Sequence, residues 1–394
     1  MTTDQASQPD PFQALMECAQ DTTMGILLRS FWQPISPAST VMPGQAKVLK
    51  IMGQDFTLYR GETGTAHLVD ARCAHRRTLL HTGWVQGDEI RCIYHGWKYD
   101  GTGQCTQAPA ETSEFARKVR IGGYPLKEYG GLIFAYLGKG APPDFDLPRK
   151  DVLETGSAVM IARTEVWPCN WFQLVENSLD AVHVSFVHHA GTVGPFGEAV
   201  SNAIPQLEYQ ETDAGIRQTA TRGEKNVRIS DWTFPNYNHI VIPTPGGGTW
   251  MDVCVWRVPI DMDKTLRIGV YAVNSDDSEE RRSFIEYMNT FGGYDPSQNH
   301  EALFDNRAYP EDKLIQLTSA QDYVAALGQG ALPDRSRERL GNSDAGIVML
   351  RRLFWRELDA TRNGQATKKW KRIDQLGELP TQSAMPVSAG GHAK

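Results

Sequence analysis

Apolar and polar residues alternate along much of the first third of the chain. The runs Ala46–Ile51 (AKVLKI) and Phe56–Arg60 (FTLYR) have the two-residue period of half-buried strands, with turns at Gly53 and Gly61. Strand-like stretches recur at Arg91–Tyr94, Lys98–Tyr99 and Leu132–Tyr136, and Asp100-Gly101-Thr102-Gly103 reads as a hairpin turn. Lys139-Gly140-Ala141-Pro142-Pro143-Asp144 breaks the pattern as a linker. Beyond it the period is mixed. Asn170–His188 is predicted helical, and Val227–Val273 holds apolar strand-like runs such as Val253–Trp256 and Leu266–Tyr271. Ser278–Met288 and Gly346–Arg362 are predicted helices, the latter amphipathic. Near the start, Thr23-Met24-Gly25 leads into a short helix through Trp32. The opening residues 1–10 and the tail from Pro380 are expected to be loose, and no internal repeat is visible. The expected units are an N-terminal segment (1–40) packing on the second domain, an all-β domain (41–145), a second domain of mixed helix and strand (146–380) and a tail (381–394).

A chain of 394 residues is long enough for two domains. Its 40% hydrophobic and 22% charged residues suit a soluble globular protein. A net charge of −7 without a basic run argues against nucleic acid as a partner. No apolar stretch reaches the roughly 18 residues of a membrane span, so no membrane partner is expected. The polar opening, with Asp4 and Asp10, is not expected to be a signal peptide. Cys18, Cys105, Cys169 and Cys254 are scattered and read as core residues in a reducing cytoplasm.

Two other cysteines change the picture. Cys73-Ala74-His75 is followed, after sixteen residues, by Cys92-Ile93-Tyr94-His95. Two thiolates on one iron and two imidazoles on the other form the ligand set of a mixed-ligand [2Fe–2S] cluster, and the neutral imidazoles raise its potential. A structural zinc site is the competing reading. It normally spaces paired ligands by two or more residues, so the single-residue spacer, the mixed pairs and the trailing Gly96-Trp97 oppose it. In these residues the chain resembles the Rieske proteins. Thr78 and Tyr94 stand where respiratory-chain members have two further cysteines, which points to the oxygenase and ferredoxin branch. Arg77 stands where the family usually has Gly, and is expected to alter that loop or its docking face. Pro109 is expected to begin a third loop that shields the cluster.

A second site lies downstream, in Glu176-Asn177-Ser178-Leu179-Asp180-Ala181-Val182-His183 and on to His188. An oxygen-binding ferrous ion takes two His and one carboxylate and keeps three positions open. His183 and His188 are the imidazole candidates, with His189 a rival. Five residues apart, they would sit about 140° apart on a regular helix, so convergence requires a distortion or a helix end near His188. Aspartates 305, 312, 322, 334 and 344 are all available as the carboxylate. The D-x2-H-x4-H pattern resembles that of the Rieske non-haem iron oxygenases. The stretches Gln321-Asp322-Tyr323-Val324 and Asp334–Leu340 resemble the phthalate-dioxygenase branch of their α-subunits. The resemblance implies Asp322 as third ligand and Asp180 as the bridge between cluster and iron, with Asn177 grouped beside Asp180 among the catalytic candidates. Asp334 is expected to pair with Arg335 or Arg337.

The resemblance implies an α+β architecture: an all-β Rieske domain, then a catalytic domain with an antiparallel sheet and helices of the helix-grip, START-like kind. It implies a [2Fe–2S] cluster, a mononuclear Fe(II) and O2 as co-substrate. Electrons would come from a separate reductase with flavin and plant-type ferredoxin domains, or from a ferredoxin. They would pass from His95 across a subunit boundary to Asp180, His183 and the iron, within a homotrimer, single or stacked as two. The chain itself has no G-x-G-x-x-G fingerprint after a strand and no second cysteine cluster, in keeping with a separate reductase. The expected pocket draws on Val182, Phe186, Trp232, Phe234, Tyr237, His239, Val241, Met251 and Val253. Arg217, Arg222, Lys225 and Arg228 are candidates for a substrate carboxylate. Three functions follow: hydroxylation or dihydroxylation of an aromatic, carboxylate-bearing (phthalate- or phenoxybenzoate-like) substrate in aromatic catabolism; O- or N-demethylation by a monooxygenase with the same metals; or, in another class, a Rieske electron carrier without oxygenase activity.

Overall fold

The computed structural model describes residues 12–148, 150–154, 156–188, 203–223, 226–244, 250–292 and 317–372. The expectations for residues 1–10, for the tail from Pro380 and for His189, Lys225, Asp305 and Asp312 lie outside them.

The alternating first third forms short strands: β1 (Gln33–Pro37), β2 (Ala46–Ile51), β3 (Gln54–Arg60), β4 (Ala66–Asp70), β5 (Trp84–Gln86), β6 (Glu89–Arg91), β7 (Lys98–Tyr99), β8 (Cys105–Gln107), β9 (Gly123–Tyr124), β10 (Leu126–Tyr129) and β11 (Leu132–Ala135). They pair antiparallel as the sheets β2-β3-β4-β9, β5-β6-β7-β8 and β1-β11-β10. Tyr59, Val69, Leu80, Ile90, Trp97 and Tyr99 form one buried cluster together with Cys73 and Cys92. The two Cys/His loops are therefore anchored in a core of their own.

The second domain is built on a seven-stranded antiparallel sheet of β12 (Val159–Trp167), β13 (Gln206–Glu211), β14 (Gly215–Arg222), β15 (Asn226–Thr233), β16 (Tyr237–Pro243), β17 (Trp250–Pro259) and β18 (Thr265–Val273), in the order β12-β18-β17-β16-β15-β14-β13. Its two faces do different things. Tyr237, Cys254, Trp256, Ile268 and Val270 share one core with Ile35, Ile133 and Phe134 of the β1-β11 layer, and the Phe134 and Trp256 rings lie 5.4 Å apart. The other face carries Trp232, Val253, Val255 and Tyr271 under helices.

The helices are α1 (Gln13–Met16), α2 (Thr23–Arg29), α3 (Ser113–Lys118), α4 (Asp151–Glu154), α5 (Trp171–Asn177), α6 (His183–Val187), α7 (Ser278–Gly292), α8 (Leu317–Gly328) and α9 (Ala345–Arg362). Leu27 and Leu28 of α2 and Phe31 share a core with Phe234, Leu350 and Phe354, which fastens the N-terminal segment to the second domain. Among the described residues no helix is long and apolar enough to cross a membrane.

Two predicted helices are corrected. The first stops at Arg29, because Ser30 caps it and Pro34 favours extended backbone at Gln33, where β1 starts. The second, Asn170–His188, divides into α5 and α6. Asn170 caps α5 through the Phe172 N–H at 3.0 Å, and Ser178 closes it. Asp180 Oδ1 then accepts the N–H groups of Val182 and His183 at 2.8 and 3.2 Å, a local side-chain bond that competes with continued helix.

Candidate metal centres

The two Cys/His loops are near copies of each other in backbone hydrogen bonding. The Cys73 N–H donates to Thr78 C=O at 2.9 Å, and the Cys73 C=O accepts from the Arg77 N–H at 3.0 Å. In the second loop the Cys92 N–H donates to Trp97 C=O at 2.8 Å, and the Cys92 C=O accepts from the Gly96 N–H at 3.0 Å. Each loop turns through a left-handed residue at the equivalent place, Arg77 at φ 63° and Gly96 at φ 72°. The loop through Arg77 thus has the same backbone bonds as the loop through Gly96 and holds an L-residue where glycine is at ease. Pro109 packs over Gly96: a Cβ there would meet Pro109 Cγ at 3.2 Å.

The thiols point inward and the imidazoles outward. Cys73 and Cys92 are 1% and 2% exposed, whereas His75 and His95 lie at the surface with ring centroids 4.4 Å apart. His75 stacks flat on Trp97, 4.6 Å between centroids. Burial pushes the Cys92 thiol up, and the neighbouring Cys73 adds to this, so two thiolates here call for a cation. Desolvation and then the neighbouring His75 hold the His95 imidazole down, favouring the neutral form that ligates metal. The Tyr99 hydroxyl accepts the Ala74 N–H at 3.1 Å and lies 3.2 Å from Cys73 Sγ, so its own proton is free for the sulfur. This donor set fits a Rieske-type cluster.

The second centre assembles from α6 and α8. Helix α6 ends at Val187, so His188 leaves the helical path and turns back toward His183; the ring centroids are 5.4 Å apart. Asp322 of α8 places Oδ1 3.5 Å from His183 Nε2 and 3.3 Å from His188 Nε2. One ligand atom from each residue lies within 4.8 Å of the others. Asp322 Oδ1 and His183 Nδ1 are buried without a well-formed hydrogen bond. Burial opposes the Asp322 charge, yet the two imidazoles pull its carboxyl well below the usual range. Three convergent donors on one side, none bonded to completion, suit a divalent cation with open positions.

Neighbouring groups orient these donors. Gln321 Oε1 lies 3.3 Å from His188 Nδ1, and Asp180 Oδ2 lies 3.8 Å from His183 Nδ1. Asn177 enters through its backbone, its carbonyl accepting the Asp180 N–H at 3.2 Å. The other described aspartates are engaged elsewhere. Asp344 accepts the Gly341 N–H at 2.7 Å. Asp334 caps its own turn through Ser336 rather than pairing with Arg335 or Arg337; Arg335 turns inward to Glu176 and Glu338.

Strand register sorts the expected pocket residues. Tyr237, His239 and Val241 alternate onto the face turned toward β1 and β11: Tyr237 stacks on Trp256 at 4.3 Å and His239 binds Asp252 at 2.6 Å. Arg217 is taken by Asp231 at 2.8 and 3.1 Å. Trp232 and Phe234 fill core against Phe354. These six do not come together with the triad. Met251 and Val253 pack with Phe284 and Met288 of α7. Arg222 donates to the carbonyls of Ala181 and Ala203 at 3.1 and 3.0 Å, and Arg228 to that of Val241 at 3.0 Å. On α6, Val182 is half-buried and Phe186 is exposed. Sequence reading missed Glu165, Arg257 and Arg267, a charged row across the three strands at the β12 edge of the sheet. Its only signal was an arginine interrupting an apolar strand, Val253-Cys254-Val255-Trp256-Arg257-Val258.

Comparison with known proteins agrees with this layout. Residues 31–129 match the Rieske [2Fe-2S] domain family, and residues 135–375 match the family described as LigXa C-terminal domain like. The chain is 30% identical to the 5,5'-dehydrodivanillate O-demethylase oxygenase subunit of Sphingobium sp., over 94% of this chain and 88% of that protein. It is also 30% identical to phenoxybenzoate dioxygenase subunit alpha of Ectopseudomonas oleovorans, over 90% and 86% respectively. In the solved reduced complex between oxygenase and ferredoxin of carbazole 1,9a-dioxygenase, a chain 20% identical shares the fold at a TM-score of 0.61, over 88% of this chain and 93% of that one.

Proposed function

The chain belongs to the Rieske aromatic ring-hydroxylating oxygenases as an α-subunit, and from that premise we propose that it hydroxylates or dihydroxylates an aromatic substrate bearing a carboxylate. It is the oxygenase component of such a system, and a separate reductase or ferredoxin supplies its electrons. The observation that carries this reading is the convergence of His183, His188 and Asp322 within 4.8 Å, in a chain that also bears the cluster loops. When bound, the two metal groups supply one-electron relay and oxygen activation. Cys73, His75, Cys92 and His95 would hold the first; His183, His188 and Asp322 would hold the second. Gln321 keeps a proton on His188 Nδ1, which leaves Nε2 free to ligate. Asp180 fixes the start of α6 with one oxygen and turns the other toward His183 Nδ1.

We read the assembly as a head-to-tail homotrimer in which His95 of one protomer faces Asp180 of the next. The surface position of His75 and His95, and the 35% exposure of the Asp180 side chain, support that reading. We place the protein in the cytoplasm, which the unpaired Cys18, Cys105, Cys169 and Cys254 support.

O-demethylation is the second reading, favoured by the likeness to the divanillate demethylase subunit. Iron and sulfide counts, with oxygen uptake on aromatic acids and methoxy-aromatics through a surrogate reductase, test both. Three irons per chain and hydroxylated acids support the first reading, and formaldehyde release the second. Two irons per chain without oxygen uptake would leave an electron carrier.

A further inference from the structure

Three neighbouring strands bring a row of charges to the helix-covered face of the sheet. Register sets Glu165 of β12 opposite Arg267 of β18, and Arg267 opposite Arg257 of β17. Tyr323, the residue after Asp322, packs on Trp167 of β12 at 5.4 Å between ring centroids, and Trp167 Nε1 donates to Glu165 Oε2 at 3.0 Å, which puts the row beside α8 and its Asp322. Arg267 is satisfied: Nη1 lies 3.2 Å from Glu165 Oε2 and 3.1 Å from the Tyr271 hydroxyl. Arg257 is not. It is 8% exposed, it donates to Asn238 Oδ1 and the Val255 carbonyl, and among the described residues it has no ion pair.

That arrangement is short of one negative charge. Like charges directly opposite on adjacent strands repel. A buried guanidinium without a counter-ion is strongly disfavoured. Burial, then Arg267, holds Arg257 down to about 9. Asp322 cannot be the missing partner, because it lies between the two imidazoles, and with a divalent cation the triad as a whole is positive. Of the arginines that the sequence pointed to, Arg217 is paired with Asp231, whereas Arg222 and Arg228, like Arg257, donate to neutral oxygens; Arg257 differs from them in facing a second guanidinium directly across the ladder, where Arg222 faces Asn226 and Arg228 faces Ala220.

We propose that Arg257, oriented by Asn238, is the anchor for the carboxylate of the aromatic substrate. The missing charge arrives with the substrate, held by the planar fork of the guanidinium. This rests on the oxygenase reading and narrows its substrates to acids. Neutral aromatics would leave Arg257 buried and unpaired.

The test titrates benzoate, 3-methoxybenzoate and phthalate, and their amide counterparts, into the iron-replete protein by calorimetry, with oxygen uptake followed in parallel. At least one acid should bind about tenfold or more tighter than its amide. Arg257→Gln should erase that preference and Arg257→Lys should keep part of it. Asn238→Asp gives the guanidinium an internal anion. It should raise Tm and erase the preference too, so it carries the test even where Arg257→Gln does not fold. Equal binding of acids and amides to the unmodified protein, or an undiminished preference in folded Arg257→Gln or Asn238→Asp protein, would overturn the assignment. So would loss of the preference in Arg228→Gln instead. If acids bind through Arg257 but no probe drives oxygen uptake, the anchor stands and the oxygenase reading fails. Turnover of neutral probes without preference for acids gives the converse.

Discussion

The cluster loops draw four donors from residues 73–95, whereas the triad draws three from positions as far apart as 183 and 322. The first site is local. Matched backbone bonds shape each loop, the thiols sit in a private core, and the imidazoles reach the surface. The second exists only once a helix has been cut short at Val187 and another has docked beside it. A local site is tied to the folding of its own small domain, because its ligands are part of that domain's core. A dispersed site can lose a donor while the fold around it survives.

The largest expected effect tests that contrast directly. Asp322→Ala should cut turnover by more than about 100-fold and remove one iron per chain, with the visible cluster spectrum intact. Loss of that spectrum would show that the two centres are not separable. Cys92→Ala should do the reverse: the cluster spectrum disappears, and the all-β domain loses on the order of 5 kcal/mol, read by denaturant unfolding. If stability is unchanged, the cluster is not part of the core that carries it.

Smaller changes sharpen the picture. Asp180→Asn should keep both metals but slow cluster-to-iron electron transfer roughly 10- to 100-fold in single-turnover kinetics; a normal rate would remove Asp180 from the path. Tyr99→Phe deletes the hydroxyl beside Cys73 Sγ and should lower the cluster potential by about 50 mV in a redox titration. Arg77→Gly relieves a left-handed L-residue and should stabilise the loop by about 1 kcal/mol, seen as a higher Tm at unchanged potential.

The same contrast explains what could be read from the chain. The cluster ligands stood out because loop sites keep their spacing in sequence. His183 and His188 were visible as a pair, and the need for a helix end between them was geometric; the end itself comes from Asp180 bonding back to the α6 backbone. Asp322 had four rivals, and only family likeness chose it. The pocket was the least legible part. Strand parity decides which face a residue occupies, and Tyr237 and His239 fell on the face that meets β11. Arg257 was passed over because it sits in a run that reads as plain apolar strand, and the register that sets it opposite Arg267 is a product of the folded sheet.

The layer that joins the domains has a mechanical consequence. Ile35, Ile133 and Phe134 are wholly covered by Trp256, Ile268 and their neighbours, so parting the two halves would strip an oily seam bare. The iron–sulfur end therefore behaves as a fixed terminal rather than a swinging arm. In the head-to-tail assembly proposed above, the length of the electron's jump would be set when copies assemble and would not vary from one turnover to the next.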